Sequence, residues 1–176
     1  MSSSKAPRLA IAAALVLGLT ACFRPLYGPT ASGERLDGVL AQIEVADIQA
    51  TPNTERFSHY LRSELVYDLN GSGQAAPKRY KLALAFTERL ESPVVDSATG
   101  RAQAAILTGD VNYTLTTLDG ATVITSGKAT ASASYDRSAQ RFATVRAGRD
   151  ADIRLAKTLS EQIRTRLAAA LASGAV

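Results

Sequence analysis

The chain has 176 residues, 46% of them hydrophobic, with 20 Lys and Arg against 16 Asp and Glu. One cysteine and one histidine exclude an intramolecular disulfide and any metal site built from His and Cys. Two of the basic residues, Lys5 and Arg8, stand in the first eight positions; without them 18 basic side chains face 16 acidic ones, which gives no argument for nucleic-acid binding.

Lys5 and Arg8 are followed by the unbroken small and apolar run Leu9 to Leu19. Its length is that of a secretory signal core, about 7–15 residues, and falls short of the roughly 20 a spanning helix needs. Leu19-Thr20-Ala21-Cys22 then reads as a bacterial lipobox. Residues 1–21 are on this reading a lipoprotein signal peptide, and the Cys22 thiol takes a diacylglycerol and becomes the new N-terminus. A soluble exported protein with a coincidental cysteine is the alternative. Each buried CH2 contributes about 0.8 kcal/mol, so several acyl chains hold a protein on a membrane. Phe23, where an aspartate would signal inner-membrane retention, favours an outer-membrane address facing the periplasm.

Residues 22–38 carry prolines at 25 and 29 and glycines at 28, 33 and 38, so the segment reads as a lipidated arm without regular structure. The single domain expected over 39–172 opens with a strand, Val39 to Ile48, in which Val39, Ala41, Ile43 and Val45 alternate. Thr51-Pro52-Asn53-Thr54 is a helix start, and Phe57, Leu61, Leu65 and Leu69 are its buried stripe until Asn70-Gly71 stops it. A second strand alternates through Tyr80, Leu82, Leu84 and Phe86 until Ser92-Pro93, and a third spans Ile106 to Leu118 with Asp110 facing away from Val111. Asp119-Gly120 predicts a two-residue type I′ hairpin, which needs φ > 0 at both positions. The fourth strand, Thr122 to Tyr135, is rich in Gly, Ala and Ser, leaving room for a helix to lie on it.

A last helix over about Thr144 to Ala172 places Ile153, Ala156, Leu159, Ile163, Leu167 and Ala170 on its buried side. Asp150 with Arg154, and Lys157 with Glu161, are its expected surface pairs. Ser173 to Val176 is a flexible end. The order β-α-β-β-β-α predicts an α+β two-layer sandwich, a mixed four-stranded sheet with two helices packed on one face, the first strand joining in parallel after its helical crossover.

No catalytic set is visible, and neither a cofactor nor a metal is expected. His59 falls off the buried stripe and reads as a surface residue. Asp150 and Asp152 read as solvated partners of Arg149 and Arg154. Arg137, Arg141, Arg146 and Arg149 gather between the fourth strand and the last helix, with Arg101 in the loop before the third strand. Arginines grouped at one end of a sheet suit a phosphorylated or carboxylated ligand; an ordinary solvated loop is the other reading.

Cys22-Phe23-Arg24-Pro25-Leu26-Tyr27-Gly28 resembles the segment after the lipobox in the LptE family of lipopolysaccharide-assembly lipoproteins, without the glycine that often follows the cysteine there. The resemblance continues through the order of elements to Leu159-Ser160-Glu161-Gln162-Ile163-Arg164-Thr165-Arg166-Leu167. It implies a non-enzymatic lipoprotein, lipid-anchored in the outer membrane, that sits in the lumen of the LptD β-barrel as a heterodimer and assists delivery of lipopolysaccharide to the outer leaflet. Basic residues that bind lipopolysaccharide in the family correspond to Arg101 and to Arg141 or Arg146. A periplasm-facing ligand-binding lipoprotein and a pilotin-like accessory lipoprotein stand as alternatives.

Overall fold

The computed structural model describes residues 33–49, 54–71, 76–93, 95, 97–98 and 100–174; Cys22 and the arm up to residue 32 lie outside them, as do Thr51 to Asn53 of the expected helix start. The elements run α1 (Leu36–Ala41), β1 (Ile43–Val45), α2 (Glu55–Asn70), β2 (Tyr80–Glu91), β3 (Ala104–Thr117), β4 (Val123–Asp136) and α3 (Arg141–Ala172). The sheet order is β1-β2-β3-β4, with β1 parallel to β2 and both remaining pairs antiparallel. This is the predicted mixed sheet with two long helices on one face. Phe57 of α2 stacks on Phe86 of β2 at 4.1 Å between ring centroids. Leu155 and Leu159 of α3 close over Gly109 of β3.

The expected strand from Val39 to Ile48 is instead a short helix and a three-residue strand. Leu36, Val39 and Leu40 are buried at the i, i+3, i+4 spacing of one helix face, and only Ile43 to Val45 pairs with β2. Alternation at 39 and 41 was coincidental, because the neighbour that decides it, Leu36, lay in what reads as an irregular arm. Lys78 joins these parts: its ammonium donates to the carbonyls of Ala41 (2.8 Å) and Ile43 (3.0 Å) and to Asn70 Oδ1 (3.0 Å).

The β3–β4 hairpin also departs from expectation. Gly120 has φ +75° but no non-glycine residue among those described has positive φ, so Asp119 does not complete a type I′ turn. The connection is wider: Thr117 N donates to Thr122 O, and the Asp119 carboxylate accepts from Thr117 Oγ1 (2.5 Å) and Ala121 N (3.1 Å).

Small residues on β4 do what their size suggests. Ala129 and Ala133 are buried beneath α3, and Gly127 lies under the Tyr113 ring. Because β4 is an edge strand, its outward carbonyls need partners, and α3 supplies them. Arg154 donates to Ser134 O (2.9 Å), Gln162 to Thr130 O (3.2 Å) and Arg166 to Lys128 O.

Four of the six residues predicted for the buried side of α3, Ala156, Leu159, Ile163 and Leu167, are buried, but Ile153 is 40% exposed and Ala170 only half-buried, and Asp152, Leu155 and Ser160 face inward as well. A carboxylate is rarely buried unless paired. Here Arg56 of α2 donates to Asp152 Oδ2 at 2.8 Å, so Asp152 is an interior partner and not the solvated one expected. Asp150 and Arg154 do pair on the surface at 2.8 Å; among the described residues Lys157 and Glu161 form no ion pair.

Candidate functional site: an arginine-rich end of the sheet

The predicted arginines meet at one end. Ala104, the first residue of β3, pairs with Asp136, the last of β4, and Arg137 N donates to Gln103 O at 2.8 Å. Arg101 stands next to the isolated bridge between Ala102 and Val95, and Arg137 reaches Ser92 Oγ at 3.4 Å. Helix α3 begins at Arg141, three residues earlier than expected, because Ser138 and Thr144 hydrogen-bond each other across the turn and organise the entry. Arg141, Arg146 and Arg149 therefore project from the first turns of this helix, all exposed.

Acidic partners are scarce there. Among the described residues, Arg101, Arg141, Arg146 and Arg149 form no ion pair, and the first turn of α3 contains no acid. Cations near a helix N-terminus oppose its dipole, so this placement does not serve the helix. Arg146 lies over the Phe142 ring at 5.8 Å from the centroid. Large exposed apolar side chains gather at the same end: Leu90, Val95, Phe142, Val145 and Ile153, five of the eight such residues described.

Two carboxylates lie just inside this end, on the helix-covered face. Burial pushes the Glu88 carboxyl up from its ordinary range, the charge of Asp152 adds to the rise, and Arg56 opposes it. His59, by contrast, is exposed on α2, 6.1 Å from the Tyr60 ring, as its position off the stripe implied. Among the described residues no group of His, Cys, Asp and Glu is placed to hold a metal, and no helix is long and apolar enough to cross a membrane.

A family model described as LptE, lipopolysaccharide-assembly, matches residues 40–167. The chain belongs to the LptE family. Its structure is similar to that of a lipoprotein from Caulobacter crescentus, with 25% identity and a TM-score of 0.61 over 78% of this chain and 96% of that one. It is also similar in fold to a minor lipoprotein from Acinetobacter baumannii, at 16% identity and a TM-score of 0.50 over 73% of this chain and 92% of that one. Among curated proteins no relative matches. The chain is thus an LptE-family lipopolysaccharide-assembly lipoprotein.

The open face of the sheet in this LptE-family chain holds a feature that reading the residues missed. Asp110 does face away from the core residues, as expected, yet it is buried beneath its neighbours. Thr130, its cross-strand partner, donates to Oδ1 at 2.7 Å; Lys128 lies 2.9 Å from the same oxygen, and Arg89 bonds the other. The Thr130 and Lys128 hydrogen bonds hold its carboxyl below the ordinary carboxylate range. The signal that would have found it is register, since Thr130 stands directly opposite Asp110 only in this hairpin alignment.

A depressed folded-state value has a definite consequence. Asp110 stabilises the fold fully above the unfolded carboxyl range, near pH 4, and that contribution disappears as pH falls through its lower folded value. Asp37, held down by Arg35, and Asp119, held down by Thr117, act in the same direction. Thermal midpoints of the natural protein should therefore drop as pH is lowered below about 4. The Asp110→Asn variant should be less stable at neutral pH and should decline less steeply with acid. Parallel curves for the two proteins would contradict this account.

Proposed function

We propose that this protein is anchored to the outer membrane through lipid on Cys22, occupies the lumen of the LptD β-barrel, and assists insertion of lipopolysaccharide into the outer leaflet. Residues 1–21 are on this reading the signal peptide and 22–38 the arm between lipid and domain, its last residues forming the start of α1. The role is non-catalytic. The observation that carries the reading is the match of the lipopolysaccharide-assembly family over residues 40–167, joined to a cluster of arginines at one end of the sheet that form no ion pair among the described residues.

Lipopolysaccharide is phosphorylated, and a planar guanidinium holds phosphate through two parallel hydrogen bonds. Arg101, Arg141 and Arg146 are assigned that contact. All three are exposed, so substitution leaves the core untouched and removes only the contact of Arg146 with the Phe142 ring. Replacing them together with glutamate is expected to weaken lipopolysaccharide binding at least tenfold while the thermal midpoint stays within about 6 °C, because surface changes cost about 0.5 kcal/mol or less each. Unchanged binding would remove these residues from the site. Purification through a tag at Val176 should bring a large β-barrel in one-to-one ratio, and the mass of the mature N-terminus should include acyl chains on Cys22.

A further inference from the structure

Helices α2 and α3 run in the same direction, since Arg56 pairs with Asp152 and Ser160 Oγ donates to Asp68 Oδ2 at 2.6 Å. Their lengths differ twofold, 16 residues against 32. Helix α2 begins beside Asp152, so the residues of α3 before that point overhang it by about 16 Å at 1.5 Å per residue. Val145 and Ile163 are five helical turns apart at 3.6 residues per turn and so share one azimuth. Ile163 is fully buried, whereas Val145 is 53% exposed. The difference is cover, not orientation.

Strand β2 tells the same story. Leu90 is on the face of Leu82 and Phe86, but Phe86 is stacked against the first turn of α2 and Leu90, four residues on, is 52% exposed. Core-facing positions of two elements are thus left open past the start of the shorter helix. Phe142, 75% exposed, and Ile153 extend this apolar surface along α3, with Arg149 between Val145 and Ile153 and Arg146 over the Phe142 ring.

We infer that this uncovered stripe, centred on Phe142 and Val145, receives an acyl chain of the lipopolysaccharide molecule whose phosphates the arginines hold; the inference rests on the function proposed above. A single amphiphile has both halves of the required chemistry: anionic groups for guanidinium groups that form no ion pair among the described residues, and hydrocarbon for exposed Phe, Val and Leu. The described chain starts at Gly33, and α1 lies beside Asp68 and Asn70 at the far end of α2, so the first described residues leave the stripe open.

The test uses the full lipidated protein in a fixed concentration of mild detergent, with two radiolabelled probes, intact lipopolysaccharide and its chemically deacylated phosphosugar backbone. The Phe142→Ser/Val145→Ser variant is expected to bind intact lipopolysaccharide about tenfold more weakly and the backbone as well as the natural protein does. Phe142→Leu/Val145→Leu, which keeps the hydrocarbon, should retain both affinities. Equal affinity of the serine variant for intact lipopolysaccharide would overturn the inference while leaving the arginine site standing. An equal loss on both probes would also overturn it, showing a disturbed phosphate contact. Failure of the natural protein to bind either probe would instead sink the proposed function.

Discussion

Leu159→Ala is expected to lower the free energy of unfolding by about 3–5 kcal/mol, the upper part of the range for removing a fully buried leucine. Leu159 is fully buried in the layer between α3 and the sheet. Its Cδ1 would lie 3.1 Å from a Cβ built at Gly109, with Leu155 and Phe86 equally close around that point. The cost of such a substitution depends on how far the site can collapse. Collapse is hindered here on two sides. Gly109 has no side chain to move inward, and the side chains of Arg154, Gln162 and Arg166 hold α3 to the backbone of β4. Urea unfolding should show the loss as a lower midpoint with an unchanged slope. A loss under about 1 kcal/mol would mean that the helix settles onto the sheet freely, contrary to this packing.

Gly127→Val is the second large effect, expected to cost about 3 kcal/mol, the upper part of the usual penalty for overpacking. A Cβ at this position would stand 2.5 Å from Tyr113 Oη and 2.8 Å from Cζ. Tyr113 is 5% exposed and sits on β3 directly opposite Gly127, so its buried ring must turn aside into packed surroundings to admit a side chain there. The sign is informative, because glycine inside a strand ordinarily costs about 0.5–1 kcal/mol relative to alanine and valine is a strong strand former. Without the ring, substitution would therefore stabilise. Combining Gly127→Val with Tyr113→Ala should make the valine much less costly than it is alone, a coupling that a double-mutant cycle measures. Strictly additive effects would show that the ring does not exclude a side chain there.

Particular elements show how far local patterns reach. The four-residue recurrence of Phe57, Leu61, Leu65 and Leu69 located α2, and all four are buried. Alternation located β2 and β3, and the small residues of β4 announced the helix above it. The arginine cluster was legible as charge placed between recognisable elements. Its convergence with Arg101 followed once β3 and β4 were taken as a hairpin, which the pairing of Ala104 with Asp136 bears out. Where local patterns failed, a distant partner had decided the outcome. Asp152 is buried where Arg56, 96 residues away, pairs with it, and Ile153 beside it is exposed past the start of α2. Asp110 is buried because two cations and a hydroxyl from neighbouring strands close over it.

Periodicity is a property of consecutive residues, so the order and kind of the long elements, the anchor-like cysteine and the basic end could all be read along the chain. Where the buried stripe of α3 stops, how far the helix overhangs α2 and which carboxylates are covered depend on groups far apart in the chain. Those matters were settled only when helices of unequal length were laid on one sheet, because burial is a relation between surfaces and no single stretch carries it.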